Sequence, residues 1–243
     1  MYKRIFEGKN TVLFDLDGTV IDSEYAWYKA FETVINTIAP DALDEAQEIM
    51  LRAGVQIIDK WSNLRDRGLI SNTTNAKDLA ETTKNEYLKL LQLGAIEVRA
   101  GFWELAAELK LQNDYKLALV TNTSRNVTES VLKSLAFGQT FDLILCGDEV
   151  KTPKPDPEIY LTALKTLGIK AKDALVFEDS VTGVTSAVKA GIDTVVIWDG
   201  RNYEKDYPQD VLGFVADFTP FPGNLDKTIK DIIRDYAKSK TQK

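Results

Sequence analysis

The most informative absence in this sequence is histidine, which does not occur among its 243 residues. Without histidine the chain can hold neither a Ser-His-Asp nor a Cys-His catalytic arrangement, and it cannot build a zinc site on imidazole nitrogens. Proton transfer near neutral pH must then come from carboxylates, lysine, tyrosine or cysteine. The one cysteine, Cys146, has no partner for an intramolecular disulfide, and its apolar surroundings predict a buried, unreactive thiol.

Long apolar runs and basic character are also missing. No run of about 18 apolar residues is present, so the sequence predicts no membrane-spanning helix. The first residues, MYKRIFEGKNTVLFD, lack the apolar core of a secretory signal, which predicts a cytoplasmic protein. The formal net charge is -7, and an acidic surface does not attract nucleic acid. We therefore expect a cytoplasmic protein that binds neither nucleic acid nor membranes, with a monomer as the default.

Short apolar runs alternate with helical patterns over most of the chain. The runs are rich in Val, Leu and Ile and lack polar alternation, which is typical of strands covered on both faces. Helical patterns follow several of them and end near Gly138, Gly168 and Gly191. This alternation predicts an α/β fold with a doubly wound parallel sheet, whose strands lie at 11–15, 116–121, 141–146, 174–177 and 194–198.

One segment breaks this alternation. Between Ser23 and Leu93 the sequence carries only helical patterns, interrupted by glycine, proline and asparagine. A helical segment of this length after the first strand predicts a separate subdomain inserted into the α/β domain. We therefore predict an α/β core domain at residues 1–20 and 98–243 and a helical domain at residues 21–97.

The C-terminal region has a weaker pattern. Residues 201–223 are rich in aromatic residues, proline and charge, and we predict that they are mostly irregular. Residues 225–238 have a helical pattern. The terminal residues KSKTQK are predicted to be disordered.

Acidic residues occur in pairs where two of the predicted strands end. Asp15 and Asp17 follow the first strand, and Glu178 and Asp179 follow the fourth. Sites in parallel α/β sheets form beyond the carboxyl ends of strands. Oxygen ligands favour Mg²⁺, and one carboxylate could attack phosphorus while another handles the leaving-group proton. Taken alone, each pair is also consistent with a turn or with helix capping.

A hydroxyl-rich segment and a lysine extend this pattern. The second predicted strand ends in TNTS, with Thr121 and Asn122 at the start of a helix, where hydroxyl and N–H groups bind anions. Lys154 lies between prolines and could neutralise charge on a phosphoryl group. Helix capping and an exposed loop lysine are simpler explanations of these features taken singly. The joint order of acidic pair, hydroxyl, lysine and acidic pair at strand ends indicates phosphate chemistry.

These motifs resemble those of the haloacid dehalogenase superfamily of phosphohydrolases, in the branch with an inserted helical cap that includes phosphoglycolate phosphatase and β-phosphoglucomutase. DLDGT at 15–19 matches the first motif, Thr121 the second, Lys154 the third, and ED at 178–179 the fourth. The resemblance spans residues 10–200. It implies a Rossmann-like α/β core with an α-helical cap inserted between the first two motifs.

The resemblance implies roles for individual residues. Asp15 would attack the phosphorus of the substrate and form an aspartyl-phosphate. Asp17 would protonate the leaving oxygen and then deprotonate the incoming water. Thr121 would bind a phosphoryl oxygen, and the backbone of Asn122 would be a further phosphate-binding group. Lys154 would hold the nucleophile and the phosphate together.

The resemblance also implies a Mg²⁺ cofactor. The metal would be bound by Asp15, the backbone carbonyl of Asp17 and Asp179, with Glu178 assisting directly or through water. The ion would lessen the repulsion between the phosphate and the attacking carboxylate. Substrate contacts would come from the cap, where the candidates are Trp27, Tyr28, Arg52, Gln56 and Trp61, although packing within the cap is the favoured role of the two tryptophans.

Asp17 separates the activities found in this superfamily. Haloacid dehalogenases and phosphonate-cleaving relatives lack the second aspartate of the first motif, so we expect a phosphatase that hydrolyses a small phosphorylated metabolite. Sugar-phosphate mutases of the β-phosphoglucomutase type share the whole motif set and remain the alternative, although a histidine often seen in mutases is missing. A non-catalytic phosphate-binding relative is the least expected, since Asp15, Asp17, Lys154 and Asp179 are all present.

Overall fold

The computed structural model describes residues 4–241, and within them a parallel sheet forms the centre of the molecule. In chain order the strands are β1 Thr11–Phe14, β2 Ile21–Asp22, β3 Glu97–Val98, β4 Lys116–Thr121, β5 Leu143–Cys146, β6 Ala174–Glu178, β7 Asp193–Ile197 and β8 Gly213–Val215. Six of them form the parallel sheet in the order β5-β4-β1-β6-β7-β8, and β2 pairs with β3 in a separate antiparallel sheet. The predicted α/β fold class is confirmed.

Helices cover the sheet and fill the segment between β2 and β3. In chain order they are α1 Glu24–Ile38, α2 Leu43–Met50, α3 Ile57–Asp66, α4 Ala76–Gln92, α5 Phe102–Asn113, α6 Arg125–Ser134, α7 Glu158–Leu167, α8 Val181–Lys189 and α9 Ile229–Thr241. We call α1 to α4, residues 24–92, the helical insert. Across residues 4–241, no helix combines the length and the apolar character needed to cross a membrane.

Alternation along β1 shows why the sheet is covered on both faces. Successive side chains of a strand point to opposite faces. Val12 and Phe14 pack in a cluster with residues of α5 and α6, whereas Leu13 packs in a second cluster with residues of α7 and α8. All residues of β1 are buried, so this strand is held rigidly in the middle of the molecule.

The helical insert has an apolar core of its own. The rings of Phe31 and Trp61 stack with centroids 4.7 Å apart. The indole N–H of Trp61 donates to Oγ1 of Thr83 at 2.9 Å, which satisfies the polar atom of a fully buried side chain. At the start of α4 the side chain of Asn75 caps the helix by accepting from the backbone N–H of Lys77. The helical pattern predicted between Ser23 and Leu93 is therefore found.

The C-terminal region departs from the prediction in two places. β8 lies within the segment predicted to be mostly irregular, because a strand of three residues is too short to show periodicity and is defined by its pairing with β7. The helical prediction began too early, since α9 starts at residue 229. The predicted disorder of the tail was wrong as far as Thr241, where α9 ends, and residues 242–243 lie outside the described part of the chain.

Cys146, the last residue of β5, is fully buried and unpaired. Burial raises the pKa of its thiol to about 11, so the thiol is protonated at neutral pH. The apolar surroundings of this residue in the sequence predict the same unreactive state.

Candidate active site

Three neighbouring strands end side by side, and each is followed by residues singled out in the sequence. β1 pairs in parallel with β4 on one side and with β6 on the other. Asp15 directly follows β1, Thr121 is the last residue of β4, and Glu178 is the last residue of β6. Because the strands are buried, these polar groups are positioned at a rigid edge of the sheet.

Lys154 links all three of these strands through a buried ammonium group. Its Nζ donates hydrogen bonds to Oδ1 of Asp15, to Oε1 of Glu178 and to the carbonyl of Val120, each at 2.7 Å. These contacts use all three N–H groups of the ammonium. Burial alone would lower the pKa of Lys154, but the carboxylates of Asp15 and Glu178 overcome this effect and hold the pKa well above its ordinary value. Lys154 is therefore a fixed positive charge beside Asp15.

Glu178 is fully buried, and both of its oxygens are well supplied with donors. Oε1 accepts from Lys154 and from the hydroxyl of Tyr160, the latter at 3.2 Å. Oε2 accepts from the backbone N–H groups of Asp179 and Ser180 at 3.0 and 3.1 Å, and from the Ser180 hydroxyl at 3.2 Å. These bonds occupy the lone pairs that direct metal ligation would need.

Asp15, Glu178 and Asp179 form a buried acidic cluster. One carboxylate oxygen of each residue lies within 4.8 Å of those of the other two. Burial raises the pKa of Asp15 well above its usual range, opposed by Lys154, and burial aided by Glu178 raises the pKa of Asp179 in the same direction. Carboxylates crowded in this way, with oxygen as the donor atom, are chemically suited to a divalent cation such as Mg²⁺.

Gly18 leaves room beside this cluster. A Cβ atom at this position would lie 2.2 Å from Oδ2 of Asp179, and the backbone φ is +79°. Both the close approach and the left-handed conformation require glycine. Oδ1 of Asp179 accepts from the hydroxyl of Thr19 at 3.2 Å, which orients the carboxylate. The DGT part of the first motif therefore shapes the acidic cluster.

The carboxylate of Asp17 lies apart from this cluster and has different partners. Its Oδ1 accepts from the hydroxyl of Ser23 at 2.6 Å, from the indole N–H of Trp27 at 2.8 Å and from the hydroxyl of Tyr87 at 3.4 Å. Its Oδ2 accepts from the hydroxyl of Thr123 at 2.6 Å. The rings of Trp27 and Tyr87 stack at 3.7 Å. Two helices of the insert, α1 and α4, thus contact Asp17 directly.

Thr121 and Asn122 form the adjacent loop. Oγ1 of Thr121 accepts from the backbone N–H of Thr123 at 3.1 Å, so its own hydroxyl hydrogen remains able to bind an oxyanion. The side-chain amide of Asn122 donates to the carbonyls of Gly54 and Lys154 and accepts from the backbone N–H of Lys154. Because that amide is engaged in joining loops, the backbone of Asn122 is the part of the residue left to contact a phosphate.

A cavity of about 250 Å³ opens over these groups. Asp15, Asp17, Thr121 and Asn122 line it from the sheet edge, and the helical insert lines it with residues of α1, α3 and α4. This volume suits a small metabolite. Of the insert residues proposed to contact substrate, Gln56 and Trp27 line the cavity, whereas Trp61 is buried in the core of the insert and Arg52 pairs with Glu48.

Several polar contacts of the site were missed from the sequence. Tyr160 and Tyr87 lie in helical patterns of the sequence, which contain no signal that their hydroxyls reach Glu178 and Asp17. Ser23 was considered only as a boundary of the insert. Thr123 lies within the TNTS run, and this run of hydroxyls was the available signal for its bond to Asp17.

Gly183 in α8 approaches the buried carboxylate of Glu178 and provides a test of this packing. A Cβ atom there would lie 1.6 Å from Oε1 of Glu178. We expect Gly183→Ala to displace the Glu178 carboxylate and to lower the free energy of unfolding by about 1–3 kcal/mol, although alanine has the higher helix propensity. Urea denaturation of the purified variant measures the change.

Thr185→Ala, on the same helix, is the matched control for Gly183→Ala. It adds no atom near Glu178, so we expect its free energy of unfolding to stay within about 0.5 kcal/mol of wild type. If both alanine variants were equally stable, the tight contact between Gly183 and Glu178 would be contradicted.

Comparison with known proteins places these features in context. A family model described as haloacid dehalogenase-like hydrolase matches residues 12–197. A phosphorylated carbohydrates phosphatase from Thermotoga maritima is 31% identical over 188 residues, which cover 76% of this chain and 82% of that protein. A pyrophosphatase PpaX from Bacillus cereus (strain Q1) is 28% identical over 223 residues, which cover 90% of this chain and 99% of that protein.

A solved structure has the same fold. The crystal structure of CbbY from Rhodobacter sphaeroides in complex with phosphate superimposes with a TM-score of 0.74 at 24% sequence identity. The match covers 86% of this chain and 95% of that chain. At this identity the likeness concerns the fold alone.

Proposed function

Because the chain belongs to the haloacid dehalogenase-like hydrolase family, we propose that it is a Mg²⁺-dependent phosphatase that hydrolyses a small phosphorylated metabolite through an aspartyl-phosphate on Asp15. The observation that carries the proposal is the buried contact between Lys154 and Asp15 next to the acidic cluster. The relative named for phosphorylated carbohydrates supports a carbohydrate phosphate as substrate, and the pyrophosphatase relative makes pyrophosphate a second candidate.

Asp15 has the contacts expected of a nucleophile. Its Oδ1 is held by Lys154, which orients the carboxylate and leaves Oδ2 to attack phosphorus. The attack forms a bond between Oδ2 and phosphorus and breaks the bond between phosphorus and the leaving oxygen. The positive charge of Lys154 offsets the negative charge brought together by the carboxylate and the phosphoryl group. The hydroxyl of Thr121 and the backbone N–H of Asn122 orient the phosphoryl oxygens.

Asp17 is the acid and base in this proposal, and its contacts indicate which oxygen carries the proton. An indole N–H can only donate, so Oδ1 remains an acceptor for Trp27. The proton given to the leaving oxygen is therefore carried on Oδ2, where the hydroxyl of Thr123 can rotate from donor to acceptor. In the second half of the reaction, Oδ2 takes a proton from the water that attacks the aspartyl-phosphate.

The acidic cluster supports Mg²⁺ as the cofactor. Asp15 and Asp179 are the carboxylates that would hold it, with the backbone carbonyl of Asp17, and with Glu178 through water. When bound, the ion neutralises phosphate charge and aligns the phosphoryl group for attack. Tyr160, Lys154 and the backbone N–H groups after β6 keep Glu178 in place whether or not the ion is bound.

We also propose that the helical insert is a cap domain. The proposed boundaries are those predicted from the sequence, with the core at residues 1–20 and 98–243 and the cap at residues 21–97. The two connecting segments pair through β2 and β3, and the insert has its own apolar core. The contacts of Trp27 and Tyr87 with Asp17 support a cap that closes over the cavity and excludes water.

A phosphate-release screen of the purified protein tests the proposed function. The panel contains sugar phosphates, phosphoglycolate, nucleoside monophosphates and pyrophosphate, each with Mg²⁺ or with EDTA. We expect release with Mg²⁺ and a fall of about a hundredfold or more in EDTA, because the ion supplies several kcal/mol of charge stabilisation. Release that is unaffected by EDTA would contradict the role of the metal.

The same screen separates the phosphatase from a mutase. β-Glucose 1-phosphate is also followed for isomerisation by a coupled assay. Isomerisation with negligible phosphate release would show that the protein is a sugar-phosphate mutase that uses the same aspartate, and the proposed phosphatase function would be wrong. The absence of both reactions across the panel would favour a phosphate-binding protein.

A further inference from the structure

Lys60, on α3 of the helical insert, is a buried lysine that the proposed mechanism does not use. Only 5% of its surface is exposed, and it lines the same cavity as Asp15 and Asp17. Its Nζ donates to the carbonyl of Met50 at 3.0 Å, which uses one of three N–H groups. In the stretch from residue 4 to residue 241, no carboxylate forms an ion pair with this nitrogen. An ammonium group is rarely buried without an anionic partner.

The acidic side chains of the insert that line this cavity already have partners. Glu24 pairs with Arg201 at 2.6 Å, and Glu81 pairs with Lys84 at 2.8 Å. Lys60 therefore remains a buried cation with no carboxylate in direct contact within the described part of the chain, and the charges of Glu24 and Asp17 stabilise its charge only from a greater distance. Burial lowers its pKa to about 8, so the ammonium form still predominates at neutral pH.

A structural role is the competing explanation for Lys60. Met50 is the last residue of α2, and a cation that binds its carbonyl interacts favourably with the helix C-terminus. The ring of Phe31, with its centroid 5.6 Å from Nζ, adds weak compensation for the charge. Both contacts face the insert, and neither explains why the side chain also lines the cavity.

We propose that Lys60 determines substrate specificity by binding a second anionic group, a carboxylate or a second phosphate, of the phosphomonoester whose phosphate is attacked by Asp15. This inference rests on the proposed phosphatase function. The shared cavity of about 250 Å³ limits the substrate to a small metabolite with both groups within one molecule. The bound anion supplies a counter-charge in direct contact with Lys60, through a charge-assisted hydrogen bond that no carboxylate of the described residues makes.

Calorimetry tests this proposal by measuring the affinities of matched pairs of ligands in the presence of Mg²⁺. Phosphoglycolate is compared with isobutyl phosphate, in which a neutral group of the same shape replaces the carboxylate. Propane-1,3-diol bisphosphate is compared with propyl phosphate, and the pair with the larger preference identifies the anion. The Asp15→Asn protein is used so that the ligands are not hydrolysed. We expect at least one charged ligand to bind about tenfold to a hundredfold more tightly than its neutral partner.

Substitution of Lys60 in the Asp15→Asn protein provides the decisive comparison. Lys60→Met is expected to abolish the preference while the Kd of the neutral ester stays within about twofold, and Lys60→Arg is expected to retain part of it. Lys165→Met, at an exposed lysine outside the cavity, should leave the preference unchanged. Thermal unfolding shows whether each variant is folded, and Lys60→Gln, which can still donate to Met50, replaces a methionine variant that fails to fold.

Three results would overturn the proposal. The first is a preference for the charged ligand that survives in folded Lys60→Met. The second is a loss of affinity in Lys60→Met that is equal for charged and neutral ligands. The third is the lack of any preference for the charged ligand in the protein that retains Lys60. The first two would assign Lys60 to the support of α2. The binding measurements do not depend on turnover. If the wild-type protein released no phosphate, the proposed phosphatase activity would be refuted, and the binding measurements alone would decide the role of Lys60.

Discussion

Asp15→Asn is expected to abolish phosphate release, with kcat lowered by about a thousandfold or more. The amide has the shape of the carboxylate, and its oxygen can still accept from Lys154, so the fold is expected to persist. It is too weak a nucleophile to attack phosphorus, because the amide is uncharged and the lone pair of its nitrogen is delocalised into the carbonyl group. A continuous phosphate assay with the best substrate of the screen measures the rate, and urea denaturation checks the fold.

The control for this variant is Asp210→Asn, which removes the same charge at an exposed position. Its rate should equal that of wild type. If Asp15→Asn retained more than a few per cent of the wild-type rate, the aspartyl-phosphate mechanism would be wrong. A general-base role for the acidic cluster would then have to be considered.

Lys154→Met is expected to have the largest effect on stability among the site residues. Removing one partner from a buried charged group costs about 3–5 kcal/mol, because the remaining charges lose their compensation. Asp15 and Glu178 would both lose a hydrogen bond, as would the carbonyl of Val120. Methionine matches the volume of lysine, so loss of packing contributes little. Urea denaturation at neutral pH measures the difference, and phosphate release should be lost as well.

A double-mutant cycle separates the charge effect from general damage. If the lost contact with Glu178 is the cause, Lys154→Met combined with Glu178→Gln should destabilise by clearly less than the sum of the single changes. Lys165→Met is the matched control at an exposed position, with an expected change within about 0.5 kcal/mol. A loss below about 1 kcal/mol for Lys154→Met would mean that Tyr160 and the backbone donors suffice to hold Glu178.

Much of the α/β core could be predicted because its signals are local. Strands such as β1 and β6 are continuous apolar runs, and the glycines after α7 and α8 end helices in a way that short windows of sequence reveal. The resemblance of the motifs to the haloacid dehalogenase superfamily is confirmed by the family match over residues 12–197. β8 could not be predicted, because three residues become a strand only through pairing with β7.

The candidate site also has parts that the sequence predicted and parts that it did not. The order of Asp15, Thr121, Lys154 and Glu178 relative to strand ends predicted that they meet at one edge of the sheet, since parallel strands share a carboxyl edge. The order of the strand ends could not predict the hydrogen-bond partners of Asp17. Trp27 and Tyr87 lie on helices of the insert, and their position depends on how the insert packs. The cytoplasmic location and the monomeric state stay predictions.

The sequence by itself determined the chemical groups available to this protein and the edge of the sheet at which they gather. With no histidine, proton transfer near neutral pH is left to carboxylates, lysine, tyrosine or cysteine, and the paired carboxylates stand in short local motifs at strand ends. Only the tertiary structure decided which atoms meet: Lys154 with Asp15 across 139 positions, and Tyr87 with Asp17 across 70. Such contacts arise from the packing of whole elements, and the geometry of that packing is set by the sum of many apolar contacts, which no local pattern records.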